Sequence, residues 1–175
     1  THTFTLSCDD ASLVTTSCSS TGTYGNTADC TFDVQDHQYG SASCTVTVTD
    51  GNGSSDSEDI TLTVNSVNDD VTLSAVGNQS TDEDTDLTIS VSSSDADLAN
   101  YGETHTFTLS CDDASLVTTS CSSTGTYGNT ADCTFDVQDH QYGSANCTVT
   151  VTDGNGSSDS ESITLTVNSV NDDVT

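Results

Sequence analysis

The 175-residue sequence contains no lysine and no arginine, whereas aspartate and glutamate together number 28, and its formal net charge is −28. Binding to nucleic acid needs a basic surface that neutralises phosphate groups, so the composition excludes this class of function. The missing basic side chains also exclude an arginine clamp on phosphate and a lysine Schiff base.

Proline, tryptophan and methionine are absent as well, and only 5% of the residues are aromatic and 31% hydrophobic. Low hydrophobicity with a high net charge is typical of disordered chains. Against disorder, the apolar residues alternate with a period of two, and the sequence has eight cysteines. No apolar run approaches the roughly 18 residues of a membrane helix and no signal peptide opens the sequence, so we expect a soluble segment without membrane insertion.

An internal repeat dominates the sequence. Residues 1–72 align without gaps on residues 104–175, and the only differences are Ser43 against Asn146 and Asp59 against Ser162. The offset of 103 positions fits a whole β-sandwich domain better than a solenoid unit. We therefore predict an excerpt from a longer tandem array, with an N-terminally incomplete repeat at 1–70, a complete repeat at 71–173 and the start of the next repeat at 174–175.

The complete repeat has the pattern of an antiparallel β-sandwich. Apolar residues alternate with polar ones, as in Phe107, Leu109 and Cys111, and polar stretches that contain glycine separate the segments. The fold class predicted is therefore all-β, with tandem immunoglobulin-like antiparallel sandwiches of about seven strands that are linked by disulfides. The candidate strands are Val71–Val76, Leu87–Val91, Thr104–Cys111, Leu116–Cys121, Cys133–Val137, Cys147–Thr152 and Ile163–Val167.

Each repeat has four cysteines, which allow three pairings, and cysteines at this density indicate an extracellular protein with structural disulfides. All four lie on the inward parity of their strands. In an immunoglobulin-like topology the first and fourth cysteines share one end of one sheet, and the second and third share the opposite end of the other. This favours the pairs Cys8–Cys44, Cys18–Cys30, Cys111–Cys147 and Cys121–Cys133. A cysteine zinc site is the rival interpretation, but no Cys-x-x-Cys pair occurs.

The acidic residues cluster in the predicted loops, where solvated side chains are the simplest interpretation. Their placement favours calcium, which binds six to eight oxygen ligands. The loops with Asp95, Asp97 and Asp153 lie at one end of the predicted sandwich, and the connector at 68–70 enters at that end. Without a cation, two carboxylates 4 Å apart would repel by about 4 kcal/mol at an effective dielectric constant near 20.

Three motifs resemble the bacterial cadherin-like domains that occur in tandem in giant extracellular adhesins. They are Ser66-Val67-Asn68-Asp69 at the end of a repeat, Asp82-Glu83-Asp84 followed by Leu87–Val91, and Asp95-Ala96-Asp97. The sequence departs from the family at Asp70 and Val71, where a proline usually follows the connector, and in its core cysteines.

The resemblance implies calcium ions (Ca²⁺) between consecutive domains, which stiffen a rod. Carried onto this sequence, it gives two junctions. The first junction would use Asp36, Asn68, Asp69, Asp70, Asp95, Asp97 and Asp153, with Glu83 as a weaker candidate. The second would begin with Asp139, Asn171, Asp172 and Asp173.

These patterns predict a structural spacer repeat of a long extracellular adhesin or surface fibre, whose partners are neighbouring identical repeats and other copies of the chain. Two alternatives are a self-assembling filament subunit completed by strand exchange, and a carbohydrate- or ice-binding module that uses outward Thr-x-Thr steps such as Thr45–Thr49. Sequons at Asn52, Asn78, Asn146 and Asn155 permit glycans.

We do not expect an enzyme. The four histidines are His2 and His37 and their repeat copies His105 and His140, and no nucleophile pattern accompanies them. Paired carboxylates could in principle act as acid and base, but nothing in the sequence distinguishes two of them.

Overall fold

The structure, a computed structural model, describes residues 1–98 and 103–171. The chain divides into two compact units, a first unit at Thr1–Val67 and a second unit at Asn68–Thr175. None of the helical segments in the described residues is both long and apolar enough to cross a membrane.

The first unit contains five strands, and a short 3-10 turn at Thr23–Gly25 precedes the third of them. The strands are β1 (His2–Cys8), β2 (Val14–Thr21), β3 (Thr27–Val34), β4 (Gly40–Asp50) and β5 (Ser55–Val64). One sheet has the order β1-β4-β5 and the other pairs β2 with β3, all antiparallel.

The second unit contains eight strands among its described residues, and a second 3-10 turn lies at Thr126–Gly128. The strands are β6 (Thr72–Leu73), β7 (Gln79–Asp82), β8 (Leu87–Ser94), β9 (Thr106–Cys111), β10 (Val117–Thr124), β11 (Thr130–Val137), β12 (Gly143–Thr152) and β13 (Ser158–Asn168). They form two four-stranded sheets, with the orders β10-β11-β8-β6 and β7-β13-β12-β9. The predicted all-β sandwich is confirmed.

Alternation along the strands builds the core of the second unit. In β12, Val149 and Val151 are fully buried, whereas Thr150 between them is only partly buried. Phe135 from the other sheet and Leu165 from β13 have no exposed surface either. The two inner faces therefore pack against each other, as the period of two predicts.

The first predicted strand of the second unit, Val71–Val76, is shorter than predicted, because β6 covers only Thr72–Leu73, and β7 follows as a separate strand. β6 pairs with β8, and β7 pairs in parallel with β13 in the other sheet. Between them the chain crosses from one sheet to the other, where Glu161 accepts hydrogen bonds from the backbone N–H groups of Val76 (2.7 Å) and Gly77 (3.0 Å). Gly77 has φ +71°, a conformation that favours glycine. The polar sequence of β7 carries no apolar alternation, so the pattern did not predict it.

All eight cysteines form disulfides, and the pairs are those that the immunoglobulin-like topology favours. Each pair joins directly opposed residues of neighbouring antiparallel strands. Cys111 opposes Cys147 across β9 and β12, and Cys121 opposes Cys133 across β10 and β11. The first unit repeats this arrangement with Cys8–Cys44 and Cys18–Cys30.

Identical sequence has different burial in the two units. Phe135 is fully buried and its counterpart Phe32 is only partly buried, while Ile163 is 3% exposed and its counterpart Ile60 is 37% exposed. In the second unit, β8 covers one edge of β11 and β7 covers one edge of β13. Residues 73–103 occur once in the sequence, so the first unit has no equivalents of these two covering strands among its described residues.

Candidate metal centre

The turn between β12 and β13 holds a buried carboxylate. Asp153 is 6% exposed, and its Oδ1 accepts hydrogen bonds from the backbone N–H groups of Asn155, Gly156 and Ser157. Gly156 has φ +99°, which lets the turn close around that oxygen. The Ser157 hydroxyl in turn donates to Oδ1 of Asp70 (3.0 Å). One carboxylate oxygen thus shapes the turn, and the other is left for a further partner.

That partner is the connector, residues 68–70. The Asn68 side-chain amide donates to Asp153 Oδ2 (3.1 Å), and the Asp69 backbone N–H donates to Asp97 Oδ2 (2.7 Å). Burial alone would raise the pKa of Asp153, but the hydrogen bonds from Asn68 and from its own turn outweigh burial and lower the pKa below its ordinary value. The connector is therefore attached by carboxylates to two loops of the second unit.

The second of these loops follows β8. Asp97 is 4% exposed, and its backbone N–H donates to Oδ1 of Asp95 (2.8 Å). The Asp95 side chain has no exposed surface. Because Asp95 and Asp97 turn their carboxylates inward, towards the connector and the core, the loop is not a solvated acidic run.

Two further buried groups lie in the same place, and the sequence interpretation missed both as ligands. Glu103 is 8% exposed and accepts a hydrogen bond from the Asn155 side-chain amide (2.9 Å). Burial raises the pKa of Glu103, and the negative charges of Asp153, Asp95 and Asp97 raise it further.

His105 is 2% exposed; its Nδ1 lies 2.7 Å from the Ser93 hydroxyl oxygen and its Nε2 lies 3.6 Å from Asp95 Oδ2. A signal for both residues was present, since Glu103 and His105 continue the inward parity of Phe107 and Leu109.

The remaining predicted ligands lie elsewhere. Glu83 is 6% exposed, its N–H donates to the Asn168 carbonyl, and its Oε1 accepts from the Val170 N–H (2.6 Å). It therefore lies at the opposite end of β13 from Asp153, about 33 Å along an eleven-residue strand. The structure does not bring Glu83 together with the first group of candidates.

The other end of the second unit also contains part of the second predicted set. Asp139 is exposed in the turn before β12, and Asn171 follows β13. In the same region the His140 backbone N–H donates to Asp84 Oδ1 (2.7 Å). Asp172 and Asp173 lie outside the described residues. Asp36 belongs to the first unit, where it is exposed in the turn between β3 and β4.

The donor set of the second unit fits a hard divalent cation. Four buried acidic side chains, those of Asp95, Asp97, Glu103 and Asp153, are linked through one hydrogen-bond network, and the sequence has no lysine or arginine to balance them. Calcium binds carboxylate, amide and backbone oxygens, and Asn68 adds an amide oxygen to this set. A divalent cation from solution would compensate this charge.

No protein-family model matches the chain, and no curated protein matches it in sequence. Its fold is similar to that of solved protocadherin fragments. Protocadherin gammaB7 EC3-6, in a cis-dimer structure, is 18% identical with a TM-score of 0.59, and the match covers 98% of this chain and 41% of that one. PcdhgB3 EC1-4 in 50 mM HEPES is 17% identical with a TM-score of 0.55, over 91% of this chain and 41% of that one.

The protocadherin gammaB4 extracellular domain is 21% identical with a TM-score of 0.51, over 94% of this chain and 27% of that one. The chain therefore spans less than half the length of these three fragments. At such identities the similarity establishes a fold of the cadherin type.

Proposed function

We propose that this chain is a non-catalytic structural stretch of a long extracellular adhesin or surface fibre, in which calcium stiffens the connectors between tandem repeats. The observation that carries the proposal is the attachment of the connector to two loops through carboxylates. Asp69 is bonded to Asp97, and Asn68 is bonded to Asp153. A ligand that binds these carboxylates would therefore hold the connector and the sandwich together.

Calcium is the ligand that the chemistry supports. Asn68, Asp69, Asp95, Asp97 and Asp153 would hold it through oxygen atoms, which are its preferred ligands. When bound, the ion would supply positive charge to a group of carboxylates that otherwise repel one another. This chain's residues supply the ligand atoms and fix their positions through the turn at Asp153 and the loop at Asp95.

The second connector supports a repeated role. Asn171, Asp172 and Asp173 have the same sequence as Asn68, Asp69 and Asp70. Glu83 is buried beside Val170, which immediately precedes this connector, and is better placed to serve it than the first connector. Glu83 and Asp139 are thus the candidates for a second calcium group. The partners would be neighbouring identical repeats, and the disulfides suit an extracellular location.

The expected stabilisation is modest for each ion. Extracellular calcium sites bind with dissociation constants of about 10⁻⁴ to 10⁻³ M. At roughly 10 mM calcium, one filled site would therefore stabilise the folded unit by about 1.4 to 2.7 kcal/mol.

Thermal unfolding in calcium and in excess chelator tests the proposal, and the chain supplies its own control. Asp153 and Asp50 occupy identical turns, because Asp50 also accepts hydrogen bonds from Asn52 and Ser54. Only Asp153 has the connector and the second loop as neighbours. Calcium should raise the melting temperature of the wild type and of Asp50→Asn, and this gain should be lost in Asp153→Asn. An equal gain in all three proteins, or none in the wild type, would refute the proposal.

A further inference from the structure

Three ligand atoms converge inside the second unit next to the proposed calcium group. One ligand atom from each of Asp95, Glu103 and His105 lies within 4.8 Å of the other two. Among the described residues, Asp95 Oδ2, Glu103 Oε2 and His105 Nε2 are buried and have no hydrogen-bond partner. A buried polar atom without a partner is costly, so three such atoms in one cluster require an explanation.

Each of the three side chains is held in place through its other polar atom. The Asp97 backbone N–H binds Asp95 Oδ1 (2.8 Å), and the Asn155 amide binds Glu103 Oε1 (2.9 Å). The third, His105, is held through Nδ1 by a hydroxyl oxygen. Such outer hydrogen bonds orient the ligands of metal sites, because they leave one atom of each ligand pointing at a common centre.

One tautomer of His105 suits a metal ligand. With the proton on Nδ1, this N–H donates to the Ser93 hydroxyl oxygen (2.7 Å), and the hydroxyl donates in turn to the Asn129 carbonyl oxygen (3.4 Å). Nε2 then carries a lone pair, which faces Asp95 Oδ2 at 3.6 Å. In this tautomer a cation between the two atoms removes the repulsion between the lone pair and the carboxylate oxygen.

We propose that Asp95, Glu103 and His105 form a site for one transition-metal ion, with zinc as the metal that fits best. Calcium prefers oxygen ligands alone, whereas an imidazole nitrogen together with carboxylates suits zinc. Two carboxylates and a neutral imidazole also cancel the charge of a divalent ion, which suits a buried position. The site goes beyond the calcium function proposed above. Of the five residues proposed to hold calcium it shares only Asp95, and it uses Glu103 from the wider acidic group.

The proposal is tested by titrating zinc into the chain after transition metals have been removed, in a buffer that contains millimolar calcium. His2 is the repeat counterpart of His105 and is exposed in the first unit, so His2→Phe is the matched control for His105→Phe. The wild type and His2→Phe should bind one zinc ion per chain, and His105→Phe should lose this binding. Ser93→Ala keeps all three ligands and should weaken zinc binding about 10–100-fold. It serves as the test if His105→Phe does not fold.

Two spectroscopic signals report coordination directly. Cobalt(II) in place of zinc gives a visible absorption band, and metal binding changes the ¹⁵N shift of His105 Nε2. If the wild type binds no zinc or cobalt, or if His105→Phe binds them as tightly as His2→Phe, the proposal is wrong and a shared proton links the three groups instead. The calcium-induced rise in melting temperature should persist in His105→Phe. Failure of the zinc site is therefore distinguishable from failure of the calcium function.

Discussion

The Asn68 side chain donates a hydrogen bond to the Asp153 carboxylate, although 85 residues separate the two in the sequence. The bond joins the first residue of the second unit to the turn between its last two strands. This connector is thus bonded to the sandwich that follows it.

Asp97→Asn should have opposite effects with and without calcium. An asparagine keeps an oxygen that accepts the Asp69 N–H bond but removes one negative charge from the group. In chelator the variant should therefore be more stable than the wild type, by roughly 1 kcal/mol, because repulsion is relieved. In calcium it should be less stable, because a ligand is lost. Urea unfolding under both conditions measures this.

The control for Asp97→Asn is Asp132→Asn, which removes one charge from an exposed position on β11. It should shift stability slightly and by the same amount under both conditions. If Asp97→Asn behaves in the same way as Asp132→Asn, the carboxylate group does not bind calcium.

Removal of one aromatic ring should have unequal effects in the two units. Phe135→Ala should destabilise the second unit by about 3–5 kcal/mol, since the ring is fully buried and a cavity would remain. Phe32→Ala, at the identical position of the first unit, should cost about 1–2 kcal/mol because its ring is only partly buried. Hydrogen exchange, followed separately for each unit, compares the two. Equal losses would contradict the difference in burial.

Loss of the Cys121–Cys133 disulfide should destabilise the second unit by about 2–3 kcal/mol, mainly because the unfolded chain gains freedom. The variant is the double substitution Cys121→Ala and Cys133→Ala, and urea unfolding under oxidising conditions measures it. Cys18→Ala with Cys30→Ala is the matched control, since it should affect only the first unit. An unchanged midpoint for the second unit would contradict a stabilising role.

The turn before β10 should contribute to stability in a pH-dependent way. The hydrogen bond from the Ser115 hydroxyl to Asp113, joined by those from the backbone of Ser115 and Leu116, lowers the pKa of Asp113 below its ordinary value of 3.8. A pKa that is lower in the folded state than in the unfolded state stabilises the fold at pH values above the unfolded-state pKa. This contribution is lost as the pH falls through the folded-state pKa. Asp113→Asn should therefore reduce the fall in stability below about pH 4.

Unfolding free energies of the wild type and Asp113→Asn between roughly pH 2 and pH 6 check this sign. The difference between the two proteins should shrink as the pH falls. A difference that stays constant over this range would contradict the account.

The sequence was sufficient to predict the fold class because alternating apolar and polar residues determine which face of each strand is buried. The period of two assigns Phe107, Leu109 and Cys111 to an inward face, and the cysteine pairing follows from the positions of the four cysteines at the sheet ends of an immunoglobulin-like topology. The sequence did not predict β7, because this polar strand is fixed by its pairing with β13 and by Glu161. Such long-range contacts leave no local pattern.

The sequence predicted only part of the acidic group, because only some of its members lie in recognisable loop motifs. Asp95, Asp97 and Asp153 stand out as carboxylates in polar loops, and the structure brings them together with the connector. Glu103 and His105 were missed because His105 lies within the predicted strand Thr104–Cys111 and Glu103 directly before it, outside the acidic loop clusters. Only the folded chain brings them to Asp95.

Anomalous scattering from crystals grown in calcium is the most direct test of the central claim, that a cation joins the connector to the loops of the second unit. The account predicts a calcium peak about 2.3–2.6 Å from oxygens of both Asp97 and Asp153, with a connector residue among its ligands. A map without any peak between these carboxylates, at a calcium concentration that raises the melting temperature, would contradict it.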